Sequence, residues 1–255
     1  MNLHAAWRTS GEFYVRRHGH KYFWFTRNMI SIFREEFPTA LGTFEISILS
    51  TDSNAKASDA ASVNKDVINV TSRSYQITIF RQLLDLNLGN NSSVLNRVAW
   101  CIFFQKSHSN YEKLKIRLEL NSHDQEITQG PSSGQYLDAI SYNDSKYQIH
   151  LGTEDGEVLM ERAKARDWLP FRYSKYLNFD TQTRNIHIGS FTEYRERGFL
   201  TRVPNLRPGE KAYFHFILAG KHYDEDNVDT WLAVDMSKKQ LLRDYANILP
   251  NAHGA

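Results

Sequence analysis

Apolar residues at Tyr22, Phe25, Met29, Ile32, Phe33 and Phe37 recur at roughly helical intervals, so the spacing predicts a helix over Tyr22–Phe37, ended by Pro38. Thr43–Leu49 (TFEISIL) alternates as a strand does, and Thr51–Lys65, small and polar without a period, reads as a long exposed loop. Asp66–Val70 resumes as a strand. Ile77, Phe80, Leu84 and Leu88 then stand at helical spacing, with Gly89 where a C-terminal cap belongs. Val98–Phe104 (VAWCIFF) is apolar without a break, as in a central strand covered on both faces. In Lys113–Leu120 the residues Leu114, Ile116, Leu118 and Leu120 fall on one face and Lys113, Lys115, Arg117 and Glu119 on the other, a strand between core and water.

Thr128–Gln135 (TQGPSSGQ) carries turn chemistry. Lys146–Leu151, Asn185–Ile188, Phe199–Val203, Ala212–Ala219 and Thr230–Val234 are further strand candidates, and Glu157–Ala165 a short helix. Arg207–Glu210 reads as the turn of a hairpin joining Phe199–Val203 to Ala212–Ala219. Ser237 with Gln240 forms a capping box that opens a last helix through Leu241, Leu242, Tyr245 and Ile248. About eight short strands against three or four helices predict a mainly β, α+β fold: an antiparallel β-sandwich with peripheral helices, an N-terminal helix and a C-terminal capped helix. Residues 1–41 form a basic aromatic segment, and residues 42–255 a single sandwich domain.

The totals narrow the class. At 255 residues with 41% hydrophobic and 24% charged side chains, most of the chain buries a core. No apolar run approaches the roughly 20 residues of a membrane span, and the N-terminus lacks the apolar core of a signal peptide, which predicts a cytosolic protein. The single cysteine, Cys101, forms no internal disulfide and fits a reducing compartment. Net charge is only +2, yet residues 1–34 hold Arg8, Arg16, Arg17, Lys21, Arg27 and Arg34 against Glu12 alone. That front end would meet phosphates or an acidic protein surface.

Catalytic chemistry is thinly represented. His18 and His20 have the spacing that sets two imidazoles on one side of a strand, but no third ligand is identifiable. His215 and His222, with Asp224, Glu225 and Asp226, are candidate cation ligands against the plainer reading of an exposed acidic turn. Cys101 with His108 is a nominal nucleophile and base, but a thiol inside an apolar strand usually just packs. The expectation is no enzyme, no metal and no required cofactor. Aromatic residues reach 13% and sit beside charges in FYVRRHGHKYFWFTR and DWLPFRYSKYLNF. Such segments serve protein contact, or stacking on nucleobases. Tyr22, Trp24, Phe25, Arg27, Met29 and Phe33 are the candidate assembly contacts on the basic helix.

Two blocks resemble the polyhedrin of cypoviruses, the insect-virus protein that crystallises inside infected cells. These are VINVTSRSYQITIFRQLLDLNLG, Val67–Gly89, and the stretch Gly198–Leu249, where FHFILAGKH, a polar loop, WLAVD and a closing helix follow in the family's order. Together they span under a third of the chain. The resemblance implies a β-sandwich core, a protruding N-terminal helix, and homotrimers packed into a lattice that embeds virus particles and dissolves in alkali. It also implies nucleoside triphosphates held between molecules, and occlusion bodies in the cytoplasm of the infected cell as the location. Two other classes fit the residues: a nucleic-acid or nucleotide-binding module, and a cytosolic inhibitor- or immunity-type interaction domain.

Overall fold

The computed structural model describes residues 13–18, 21–26, 29–52, 67–83, 94–122, 127–133, 137–175, 191–223 and 228–243. They form β1 (Phe13–His18), β2 (Lys21–Thr26), β3 (Ile30–Thr39), β4 (Gly42–Ser50), β5 (Val67–Thr71), β6 (Tyr75–Leu83), β7 (Val94–Lys106), β8 (Leu114–Ser122), β9 (Thr128–Ser133), β10 (Leu137–Asn143) and β11 (Tyr147–Glu154). After these come α1 (Gly156–Lys164), a 3-10 turn (Phe171–Lys175), β12 (Thr192–Arg195), β13 (Gly198–Arg202), β14 (Lys211–His222), α2 (Asp229–Val234) and α3 (Lys238–Leu241). A seven-stranded sheet runs β5-β6-β7-β14-β11-β10-β9 and a five-stranded sheet runs β12-β13-β8-β4-β3, with every pairing antiparallel. The mainly β, antiparallel sandwich with peripheral helices is therefore the fold. Among the described residues β1 and β2 pair with each other alone, as a separate two-stranded sheet.

One core lies between the sheets. Ile46 and Ile48 of β4 and Ile116 and Leu118 of β8 meet Ile77, Ile79, Trp100, Ile102, Phe104, Phe214 and Phe216 from the larger sheet. A second core lies on the other side of the larger sheet, where Phe80, Ala99, Cys101, Tyr213, Ile217 and Ala219 are covered by Ala233, Val234, Leu241 and Leu242 of the α2–α3 segment. Glu112 ties the loop before β8 to both sheets. Its buried carboxylate accepts from Ser50 Oγ at 2.8 Å, Ser72 Oγ at 2.9 Å and the Ser74 amide at 3.0 Å.

Several sequence expectations are corrected. The stretch Tyr22–Phe37 is not a helix but β2 followed by β3, and β3 belongs to the five-stranded sheet across a hairpin whose turn spans the 41/42 division. The cause is a β-bulge between Ser31 and Phe33, which inserts one residue and resets the alternation. Ile30 and Ile32 precede the reset and Phe33 and Phe37 follow it, so apolar side chains fall at irregular intervals that imitate a helix. Ile77 and Phe80 likewise lie in strand β6, whose two faces are both covered, Ile77 in the inner core and Phe80 in the outer one. Leu84, Leu88 and Gly89 lie outside the described residues, as do Asn185–Ile188 and most of the Thr51–Lys65 loop.

Thr230–Val234 is helix α2, since a five-residue apolar run has no period of its own to fix it as a strand. Thr128–Ser133 is the edge strand β9, where exposed Pro131 is tolerated because its missing N–H is needed by no further neighbour. Arg207–Glu210 is a turn, with the Glu210 amide donating to the Arg207 carbonyl at 2.9 Å and Gly209 at φ +83°. It carries the chain from one sheet to the other instead of closing a hairpin. Ser237 does cap α3 through the full capping box. Among the described residues no helix is long and apolar enough to cross a membrane.

Candidate functional site

The densest polar constellation lies under the α2–α3 cap. Strand register sets Cys101 of β7 directly opposite His215 of β14, and Glu154, the last residue of β11, follows Thr153, which pairs with Phe216. Cys101, His215 and Glu154 thus form a row across three neighbouring strands, and all three are buried. Glu154 Oε2 stands 3.8 Å from His215 Nδ1 and accepts from Arg162 Nη1 of α1 at 2.5 Å. Arg162 also donates to the Tyr213 carbonyl at 3.1 Å and places its guanidinium 4.9 Å from the Tyr213 ring centroid. Tyr213 donates its hydroxyl to Cys101 Sγ at 3.4 Å.

Burial sets the protonation of the thiol and the imidazole. Burial pushes the Cys101 thiol up to about 12, partly opposed by the Tyr213 hydrogen bond. The sulfur is held as a protonated acceptor and not as a thiolate. Burial also lowers His215, an effect that Glu154 opposes and Arg162 reinforces, so the imidazole is neutral and hydrogen-bonds the Met236 backbone. A second buried histidine, His150, meets Thr230 Oγ1 of α2 at 2.9 Å and is lowered to about 4 by burial first and Lys221 second. Helix α2 is therefore pinned at its start by His150 and just beyond its end by His215. Lys238 of α3 completes the closure through an ion pair with Asp167 and an ammonium 5.5 Å from the Tyr213 ring. What this arrangement does is hold α1, α2 and α3 onto the larger sheet.

The residues singled out in the sequence are distributed differently. His108 is exposed beyond the end of β7, so it is His215 that faces Cys101. His222 is exposed at the far end of β14, stacked on Tyr147 with centroids 5.0 Å apart, and does not meet His215. Asp224, Glu225, Asp226 and His20 lie outside the described residues, and His18 ends β1. Among the described residues no group of three His, Cys, Asp or Glu side chains is placed to hold a metal ion. Tyr22, Trp24 and Phe25 lie in β2, opposite Arg17, Val15 and Tyr14, and Arg27 lies outside the described residues. Met29 is half-buried just before β3, and Phe33 packs against the inner core, so Phe33 serves the chain's own fold. Of the DWLPFRYSKYLNF segment, Trp168 packs edge-on against Phe103 at 4.9 Å and carries the Lys211 ammonium 4.7 Å from its centroid.

A second polar array covers the outer face of the five-stranded sheet. Buried Glu45 of β4 accepts from Arg34 Nη2 at 2.7 Å, Arg117 Nη2 at 2.9 Å and Asn121 Nδ2 at 2.6 Å. Around it stand the pairs Arg34–Glu36 at 2.6 Å on β3, Arg117–Glu119 at 3.7 Å on β8 and Glu193–Arg195 at 2.6 Å on β12. Sequence reasoning saw the polar side of β8 but not this array, because its members run from Arg34 on β3 to Arg195 on β12 and only the register aligns them. No protein-family model, curated protein or solved structure matches the chain.

Proposed function

We propose that the chain is a structural, self-assembling protein without turnover, the matrix of an intracellular crystalline body of the viral occlusion type, which embeds virus particles and dissolves in alkali. The observation that carries this reading is the unlike treatment of the two outer sheet faces. Helices cover that of the larger sheet, whereas that of the five-stranded sheet presents partly exposed, ordered charges anchored on Glu45. A polar sheet face whose charges are already paired suits repeated contact between copies, since paired side chains have less freedom left to lose on docking. The β-sandwich agrees in kind with what the polyhedrin resemblance implies. The front end does not, and the role of docking arm passes from a helix to the basic β1–β2 hairpin, Phe13–Thr26.

On this reading the partners are further copies of the chain and virions. Nucleoside triphosphates between molecules and a trimeric unit remain implications of the resemblance alone. Expression in cultured insect cells tests it: cytoplasmic crystals that survive neutral buffer and dissolve in strong alkali are expected. A protein that stays monomeric at every concentration, in cells and purified, overturns it.

A further inference from the structure

The five-stranded sheet carries two rows of residues that cross all of its strands. One row reads Arg34, Ser47, Arg117, Leu200, Glu193 and the next reads Glu36, Glu45, Glu119, Gly198, Arg195, each residue a Cα partner of its neighbour. On β3, β8 and β12 the two rows have opposite charge: Arg34 beside Glu36, Arg117 beside Glu119, Glu193 beside Arg195. Those six side chains are between 29% and 57% exposed, so they are available to a partner.

We propose that this face binds the same face of a second copy about a two-fold axis that runs across the strands, midway between the two rows. The inference rests on the reading that the chain assembles with itself, and it names the surface. Rotation about that axis lays the first row of one copy over the second row of the other while keeping each strand position over itself. Arg34 then meets the partner copy's Glu36, Arg117 meets its Glu119, and Glu193 meets its Arg195. Each intramolecular ion pair becomes one half of a square of alternating charges. The match is isologous, as a two-fold contact requires. It also survives sheet twist, because rotation about an axis perpendicular to the strands leaves the two sheets locally parallel along its length.

The size of the face sets how strong the contact is. Five strands about 4.8 Å apart and about six residues long present roughly 500 Å² per copy, less than the roughly 800 Å² of a stable standard interface. Charges this exposed are screened by salt. The contact is a weak, salt-sensitive dimer contact that a lattice would multiply.

The test is sedimentation of the purified full chain across a concentration series at low and high salt, with Arg117→Glu and Glu119→Arg each alone and then mixed. Each single reversal sets like charges face to face and should weaken self-association at least about tenfold. The equimolar mixture should associate again, since Glu at 117 of one variant meets Arg at 119 of the other. Circular dichroism shows whether each variant is folded. Should either fail, because Arg117 also holds Glu45, the edge pair Glu193→Arg and Arg195→Glu gives the same crossed design. Folded single variants that associate like the unmodified chain, or a mixture that does not recover, overturn the proposal. Persistence of crystals in cells with charge-insensitive association sinks this face alone; an unmodified chain that neither crystallises nor associates sinks the self-assembly reading with it.

Discussion

Arg162 donates to Glu154 at 2.5 Å with both side chains under a tenth exposed, and this single contact joins helix α1 to the end of β11. Arg162 also reaches the carbonyls of Tyr213 and Asp167, each at 3.1 Å, so its removal strands a buried carboxylate, the buried Tyr213 carbonyl and the half-buried Asp167 carbonyl together. Breaking a buried pair from one side costs about 3–5 kcal/mol, whereas replacing both partners by apolar groups of like volume is often near neutral. Arg162→Ala is expected to lose stability in that range and Glu154→Leu with Arg162→Met to recover most of it, read from urea unfolding. A loss under about 1 kcal/mol for Arg162→Ala would show that α1 is held by its apolar face instead.

Burial of His150 against Thr230, with Lys221 nearby, makes stability depend on acid. The folded imidazole is neutral down to about 4, while the same ring in the unfolded chain takes up a proton near 6.5. Unfolding therefore binds a proton between those values, and stability present above pH 6.5 falls as pH drops towards 4, by about 3 kcal/mol. His215 shifts in the same direction and adds to the slope. His150→Asn keeps a polar group for Thr230 and removes the titration. Its urea midpoint should fall less steeply over that window than that of the unmodified chain, and equal slopes would contradict the assignment.

Strands with one wet face and one dry face were legible from alternation, and the unbroken apolar run Val98–Phe104 was legible as a central strand covered on both faces, which is β7. Leu114, Ile116, Leu118 and Leu120 alternate because β8 separates core from water, and they were placed correctly from spacing alone. Where both faces are covered, as at Ile77 and Phe80, alternation vanishes and helical spacing appears by coincidence. The bulge at Ser31–Phe33 does the same in β3. The Cys101–His215–Glu154 row was out of reach for another reason: no local pattern records that three distant residues will share one register. Cys101 itself was legible as a buried core thiol, and His215 was not legible as its neighbour.

Gly198 marks the closest approach in the smaller sheet. A Cβ there would lie 1.9 Å from the Leu118 carbonyl oxygen and 2.8 Å from the Glu119 Cα, both backbone atoms that cannot turn aside. Gly198→Ala should cost about 3 kcal/mol and loosen β12–β13 from β8, seen as faster amide exchange at Val203, whose amide donates to the Leu114 carbonyl at the start of β8. Gly209→Ala is the control. It meets nothing within 4 Å but holds φ +83°, and should cost only about 1 kcal/mol. Equal effects at the two glycines would mean that the β13–β8 pairing is not as tight as described.

Alkali should act on this protein in two stages. Tyr75, Tyr142 and Tyr213 are buried, and burial, as the largest cause, pushes each phenol above its ordinary value near 10. Tyr194 on β12 is raised as well, by burial first and then by Asp138. For an acid whose folded pKa is raised, the stabilisation is complete below the unfolded value and is lost as pH climbs above about 10, because the unfolded chain releases the proton sooner. Phenols and lysines at the surface change charge without that constraint, so copies begin to repel one another while each is still folded. Phenolate absorbance is expected to rise in two steps with pH, the first with the β-sheet circular dichroism intact and, if the chain assembles as proposed, with its crystals dissolving, the second coincident with loss of that signal. A single step in which phenolate formation and unfolding coincide would show that the buried tyrosines do not hold the fold together while the surface phenols ionise.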